Sequence, residues 1–251
     1  MAEVKVNGLT IGTGMPKIAA PVVGTNKEEI LAAVRQVCAS PVDLLEWRVD
    51  FFDQLTSPTA VAELGLAIKR IIANRPLLIT LRTSAEGGQQ PISSESYQEV
   101  YQRVIEACAA DIIDLEVARD QQLITALTEK AHENGIKVIM SSHDFTKTPA
   151  ATELLARLGK MTALNADIVK FAVMPHNRDD LLTILTVNAH YAALPGSKSI
   201  IAIGMGRLGK IIRVGGETFG SCISFGSVGQ SSAPGQVEVH QLHEILTELH
   251  Q

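Results

Sequence analysis

Apolar residues run through this chain in two rhythms. Short blocks dominated by Val, Ile and Leu alternate with longer stretches in which apolar positions recur with the helical period. The blocks are Lys17–Val23, Asp43–Val49, Pro76–Thr83, Asp111–Val117, Lys137–Ser142, Asp167–Val173, Ser199–Met205 and Cys222–Ser227, eight in all. Helical patterns occupy 26–39, 59–73, 94–109, 120–133, 149–163, 177–193 and 236–249, while 206–221 is abbreviated and glycine-rich. A continuous apolar block suits a parallel strand buried on both faces, and the amphipathic stretch after it supplies the crossover helix. Eight such units in 251 residues predict an α/β fold, a closed (β/α)8 TIM barrel, over an open doubly wound sheet. Before the first unit, Val4–Gly12 alternates and turns at Asn7-Gly8, which predicts a short N-terminal β-hairpin. No linker or low-complexity stretch divides the chain, so residues 1–251 read as one domain.

One block breaks its own rule. Asp167-Ile-Val-Lys-Phe-Ala-Val173 reads as a fully buried strand, yet it carries Lys170. Lysine is almost never buried without a partner, and removing its charge from water costs several kcal/mol. Burial also frees the amine as a nucleophile. The bland alternative is a side chain that snorkels to solvent from a strand end.

Other polar residues gather where strands end, which is where a barrel of this type keeps its chemistry. Period-two alternation puts Glu46 and Arg48 on one face and Trp47 on the other. Arg82 ends the third block, with Glu86-Gly87-Gly88 in the loop beyond. Asp114 and Glu116 lie on the fourth block, His143 ends the fifth, and Arg213 follows the seventh. Ser232 and Gln236 belong to the loop after the eighth. Singly, each has a structural explanation: Glu46 pairing with Arg48, His143 capping a helix, Asp114 and Glu116 neutralising neighbouring cations. Together they form a coherent site. Lys170 supplies the amine, His143 a proton carrier near neutrality, and Glu86 a group to orient it. Arg48, Arg82 and Arg213 offer forked donors for a carboxylate or phosphate. Four cations set against Glu46 and Glu86 predict an anionic small-molecule substrate and a depressed lysine pKa.

Composition narrows the function classes. A net charge of -5 argues against a general nucleic-acid or anionic-membrane surface. With 4% aromatic residues the chain is poor in stacking platforms for single strands. No apolar run reaches the roughly 18 residues of a membrane span. The amino terminus lacks the pattern of a signal peptide. Cys38, Cys108 and Cys222 are far apart and embedded in apolar segments, so they read as reduced core residues of a cytoplasmic protein. No metal-ligand spacing and no glycine-rich nucleotide loop is present, so neither metal nor cofactor is expected.

The segments Leu45-Glu-Trp-Arg-Val-Asp50, Asp114-Leu-Glu-Val117, Val138-Ile-Met-Ser-Ser-His-Asp-Phe145, Lys170 and Ser231-Ser-Ala-Pro-Gly-Gln236 resemble those of type I 3-dehydroquinate dehydratase. The resemblance runs essentially from end to end. It implies a barrel, usually homodimeric, that dehydrates 3-dehydroquinate to 3-dehydroshikimate in the shikimate pathway without metal or cofactor. By position, Lys170 would form an imine with the C3 ketone, His143 would shuttle protons and Glu86 would be its partner. Glu46, Arg48 and Arg82 would contact the substrate, and Arg213 would clamp its carboxylate. Ser232 and Gln236 would sit on a loop, residues 229–236, that closes over the site.

Three positions depart from the family pattern. Pro21 stands where a serine is usual, Ile203 replaces a methionine of the pocket wall, and Ser142 replaces a larger polar residue before His143. A class I aldolase-like lyase is the main rival, because Phe225-Gly-Ser-Val-Gly229 could cradle a phosphate. Glu46 and Arg48 with Arg213 argue for a carboxylate instead. A non-catalytic small-acid binder is a second rival, disfavoured by the joint presence of Lys170, His143 and Glu86.

Overall fold

Asn7 and Gly8 adopt φ of 47° and 80°, the left-handed pair that a two-residue hairpin turn requires. They join β1 (Val4–Val6) to β2 (Leu9–Ile11) in antiparallel register. The structure is a computed structural model and describes residues 2–229 and 234–250.

Eight parallel strands follow: β3 (Lys17–Val22), β4 (Leu44–Arg48), β5 (Leu77–Thr80), β6 (Ile112–Glu116), β7 (Lys137–Asp144), β8 (Ile168–Val173), β9 (Ser199–Gly204) and β10 (Ile223–Ser227). Each pairs with the next in chain order as far as β9, and β10 pairs back onto β3. The ring closes between β9 and β10 through a parallel bridge, Ile200 to Ser221, and a Cys222 N–H to Ile200 carbonyl bond of 2.8 Å. The expected barrel is therefore present.

Crossover helices start where a short polar side chain can accept the first free N–H groups. Asn26 caps α1 (Lys27–Cys38), Ser57 caps α2 (Pro58–Ile72) and Ser93 caps α3 (Ser94–Glu106). Asp120 caps α4 (Gln121–Glu133) and Asn177 caps α6 (Arg178–Ala193), while α5 (Ala151–Ala163) begins without a side-chain cap. The glycine-rich stretch holds two short helices, α7 (Lys210–Val214) and α8 (Gly216–Phe219). The final helix differs from expectation. Val237–Glu238 forms β11, a two-residue strand parallel to β10, and α9 runs only over Val239–His250.

Alternation along the strands builds the interior in layers. Ala19, Leu44, Leu78, Ile112, Ile139, Ile168, Ile201 and Ile223 form an apolar floor, and Val4, Val6 and Ile11 of the hairpin pack beneath it. Two residues further along the same faces come Glu46, Thr80, Asp114, Ser141 and Lys170, all buried. The other strand faces, with Trp47, Ile79, Ile113, Leu115 and Phe171 among them, pack against the helices. One cysteine departs from its expected place. Cys108 is exposed, because α3 stops at Glu106 and the chain turns away through a φ of 50° at Cys108.

Candidate active site

A cavity opens at the carboxyl ends of the strands, with an empty volume of about 490 Å³. Its walls include Glu46, Arg48, Arg82, His143, Lys170, Arg213 and Gln236. Seven of the nine residues expected to act on or contact substrate thus line one space. Glu86 stands just behind it, bonded to His143. Ser232, and with it the middle of the supposed closing loop, lies outside the described residues.

Lys170 projects inward from β8 and is 4% exposed. Its Nζ donates to Asp114 Oδ2 at 3.1 Å and lies 4.7 Å from the Phe225 ring centroid. Asp114 Oδ1 accepts from Arg82 Nη2 at 2.9 Å and from Ser141 Oγ at 2.5 Å. Burial alone would raise the Asp114 carboxyl, but Arg82, Lys170 and His143 outweigh it and hold it well below the usual carboxylate range. It is a fixed anion beside the amine.

His143 reaches the mouth because β7 continues two residues past its expected end. Glu86 Oε2 accepts both the His143 backbone N–H, at 3.0 Å, and Nδ1 at 2.8 Å. Burial raises Glu86 to about 8. Burial, followed by the nearby Arg82 and Lys170 charges, holds His143 well below 6.5. Both groups are therefore neutral at pH 7. With Oε2 occupied by two N–H donors, the Glu86 proton belongs on Oε1, and Nδ1 of the ring keeps its hydrogen. Nε2 is left with a free lone pair, as a general base requires. The turn that carries Glu86 is tight. Gly87 has a φ of 85°, and a Cβ on Gly88 would meet the Arg82 carbonyl at 1.9 Å.

The three arginines are not equivalent. Arg48 gives Nε and Nη2 to Asp50, each at 2.8 Å, and Asp50 also accepts from Gln89 N–H. Arg82 gives Nη1 to Glu116 and Ser141 and Nη2 to Asp114. Both forks are already filled by protein carboxylates. Arg213 instead holds two carbonyls, Phe225 at 3.1 Å and Pro234 at 3.4 Å, and its Nε has no hydrogen-bond partner. No carboxylate pairs with it among the described residues. Burial pushes its guanidinium down to about 10.

Asp50, Asp114 and Glu116 thus overturn the expected excess of positive charge, since three more carboxylates stand against the same four cations. Ser142, the residue before His143, does not touch the imidazole. Its Oγ accepts from Arg157 of α5 at 2.9 Å, on the helix side of β7, away from the imidazole pocket. Ile203 lines the cavity as an apolar wall. Thr80, Phe145, Ala172, Met205 and Phe225 complete the lining. Sequence reasoning passed over Thr80 and Ala172, although Thr80 shares the inward parity of Arg82, and Ala172 that of Lys170. Thr80 Oγ1 donates to Glu46 Oε1 at 2.8 Å, which fixes that carboxylate against the wall. Among the described residues no cluster of three or more His, Cys, Asp or Glu could hold a metal ion.

A cavity with an amine on a strand, a neutral imidazole and one carboxylate-free arginine suits addition of the amine to a carbonyl, then proton transfer. Comparison with known proteins points the same way. The family described as type I 3-dehydroquinase matches residues 18–251. A 3-dehydroquinate dehydratase of Salmonella agona is 40% identical over 251 residues, covering 100% of both chains. One from Lactiplantibacillus plantarum is 39% identical over 247 residues, 98% of this chain and 97% of its own. A crystal structure of the type I enzyme from Clostridium difficile, bearing covalently modified comenic acid, superposes with a TM-score of 0.96 at 36% identity. That match covers 99% of this chain and 98% of the other.

Proposed function

Because the chain belongs to the type I 3-dehydroquinase family, we propose that Lys170, His143 and Glu86 carry its reaction and that Arg213 holds the substrate carboxylate. The reaction is the dehydration of 3-dehydroquinate to 3-dehydroshikimate in the shikimate pathway, a hydro-lyase activity.

A ketone acidifies its neighbouring C–H only weakly, whereas a protonated imine is a strong electron sink. Lys170 Nζ adds to C3, the ketone oxygen leaves as water, and the iminium forms with Asp114 beside it. His143 Nε2 removes a proton from C2, and the electron pair moves into an enamine. The resulting imidazolium is stabilised by Glu86 at Nδ1. It returns its proton to the C1 hydroxyl, which departs as water as the enamine pushes its electrons back. A further water hydrolyses the imine and frees Lys170. Glu46, Arg48 and Gln236 contact substrate hydroxyls on this reading. Arg82, which lines the same cavity, contacts substrate as well, and its bonds to Asp114 and Glu116 brace those carboxylates.

The observation that carries this reading is the Lys170 amine, buried and held by the Asp114 carboxylate in the same cavity as a free imidazole nitrogen. Borohydride reduction in the presence of 3-dehydroquinate should yield a stable adduct on the peptide containing Lys170, and Lys170→Ala should abolish both adduct and turnover. An adduct on another residue would overturn the assignment. Residues 1–251 act as one catalytic unit on this view, as a homodimer in the cytoplasm. The family resemblance supports that setting, and the thiols of Cys38, Cys108 and Cys222 are unpaired. Among the described residues no helix is long and apolar enough to cross a membrane.

A further inference from the structure

Tyr97 and Tyr101 lie one turn apart on α3, both fully buried, with ring centroids 4.8 Å apart in an edge-on arrangement. Their hydroxyls do not face the cavity. They reach between β5 and β6, just where that ladder stops. Regular pairing of these strands ends at Thr80 with Asp114, although β6 continues to pair with β7 as far as Glu116. Beyond that point the Asp114 carbonyl and the Glu116 N–H have no strand partner on the β5 side. Buried backbone groups left this way cost free energy, so something must take them.

The tyrosines do. Tyr101 Oη accepts from Leu81 N–H at 3.0 Å and donates to the Asp114 carbonyl at 2.5 Å. Tyr97 Oη accepts from Glu116 N–H at 3.3 Å. Burial raises the Tyr101 phenol well above its ordinary range, so the hydroxyl keeps the proton that it donates. One hydroxyl thus bridges the Leu81 N–H and the Asp114 carbonyl just past the last pair, Thr80 with Asp114.

Past the end of the ladder the chain passes through Arg82 and Thr83 into a short 3-10 turn, Ser84–Glu86. Arg82 can then reach Asp114 and Glu116 together, and Thr83 gives both its N–H and its Oγ1 to the Glu116 carboxylate, at 2.9 and 2.7 Å. Asp114 in turn meets Lys170 Nζ, and Glu86 at the end of the same bend meets His143. We infer that Tyr101 is a positioning residue of the dehydration reaction: its hydroxyl, wedged between β5 and β6, sets the spacing that places Asp114 against Lys170 and Glu86 against His143. Tyr97 assists at Glu116. The inference rests on the roles proposed above for Lys170 and His143.

Tyr101→Phe tests it. The ring remains to fill the space, and only the wedge is lost. A small misplacement of reacting groups is costly, so kcat should fall by between about tenfold and 100-fold. KM should change little, because Arg213 is untouched. The rate of borohydride-trappable adduct formation should fall in parallel, and the pH at which kcat/KM rises should move, since the Glu86 contact with His143 has changed. Tyr191→Phe is the control. Tyr191 is also buried and bonded, to Thr162 Oγ1 at 2.7 Å, but it lies on α6 away from the cavity. It should lose thermal stability with kcat and pH profile unchanged. Should Tyr101→Phe fail to fold, Tyr97→Phe, which removes one longer bond, should show the same fall in kcat at smaller size. Wild-type kcat and pH profile in whichever of these variants folds would overturn the inference and leave the tyrosines as core residues. Absence of any Lys170 adduct in the wild-type protein would overturn the mechanism itself, and this inference with it.

Discussion

Replacing Arg213 with methionine separates what this side chain costs the free protein from what it gives a bound carboxylate. In the free protein Arg213 is 3% exposed, faces no carboxylate among the described residues and leaves Nε unbonded. The fall from 12.5 to about 10 corresponds to roughly 3 kcal/mol of disfavoured charging. For a base whose folded pKa lies below its unfolded one, that penalty is complete at neutral pH and fades only as pH climbs from about 10 towards 12.5. Against it stand the bonds to the Phe225 and Pro234 carbonyls, about 1 kcal/mol each. The balance, roughly 1 kcal/mol, should leave Arg213→Met melting about 2–4 °C above wild type at pH 7. Binding should move the other way. Loss of a bidentate, charge-assisted pair costs roughly 3 kcal/mol, about 100-fold in Kd. Calorimetric titration with the product, 3-dehydroshikimate, reads the second number and a thermal melt the first. Arg213→Lys keeps the charge without the fork and should fall between, weakening binding by about 1–3 kcal/mol. A clear drop in Tm for Arg213→Met would refute the reasoning about its cost. An unchanged Kd would move the substrate carboxylate to Arg48 or Arg82.

Three further outcomes follow from the geometry. Because ionised Glu86 stabilises the imidazolium formed at His143, kcat/KM should rise with pH through about 8, and Glu86→Gln should abolish that rise. The acid limb should remain below pH 6.5, where His143 gains its proton. Asp114→Asn leaves Lys170 and one side of Arg82 without their carboxylate, at a cost of about 3–5 kcal/mol. Its Tm should therefore drop by roughly 6–20 °C in a melt at neutral pH, and an unchanged Tm would show that Glu116 alone balances Arg82. Asn188 on α6 is fully buried with both amide atoms unpartnered, so Asn188→Leu should stabilise by about 1–2 kcal/mol and leave steady-state kinetics unchanged.

Strand positions were legible because apolar blocks mark burial directly, and Lys170 stood out because a charge interrupts one of them. Its partner was not legible. Asp114 lies 56 residues earlier, and which inward-facing group meets Nζ depends on strand register around a closed ring, which local periodicity does not contain. The same limit hid the contrast among the arginines. Arg48, Arg82 and Arg213 look alike as residues, yet only the fold shows that two are already paired. For the tyrosines, the helical pattern marks 94–109 as amphipathic and so predicts their burial, but says nothing of hydroxyls that enter a sheet. β11 escaped because two residues carry no period, and Cys108 because its exposure comes from a positive φ after the helix ends.

The apolar floor beneath Lys170 makes the barrel a vessel with one mouth. Among the described residues, Val4, Val6 and Ile11 pack with the floor on the far side, so substrate, product and solvent reach Lys170 from the strand ends. Water expelled when the imine forms is therefore released into the same blind chamber that later supplies water for its hydrolysis. Traffic through that mouth sets which oxygen atom the product carries away: with a 3-dehydroquinate labelled at its ketone oxygen, isotope retained in the product would measure how long the chamber keeps its own water.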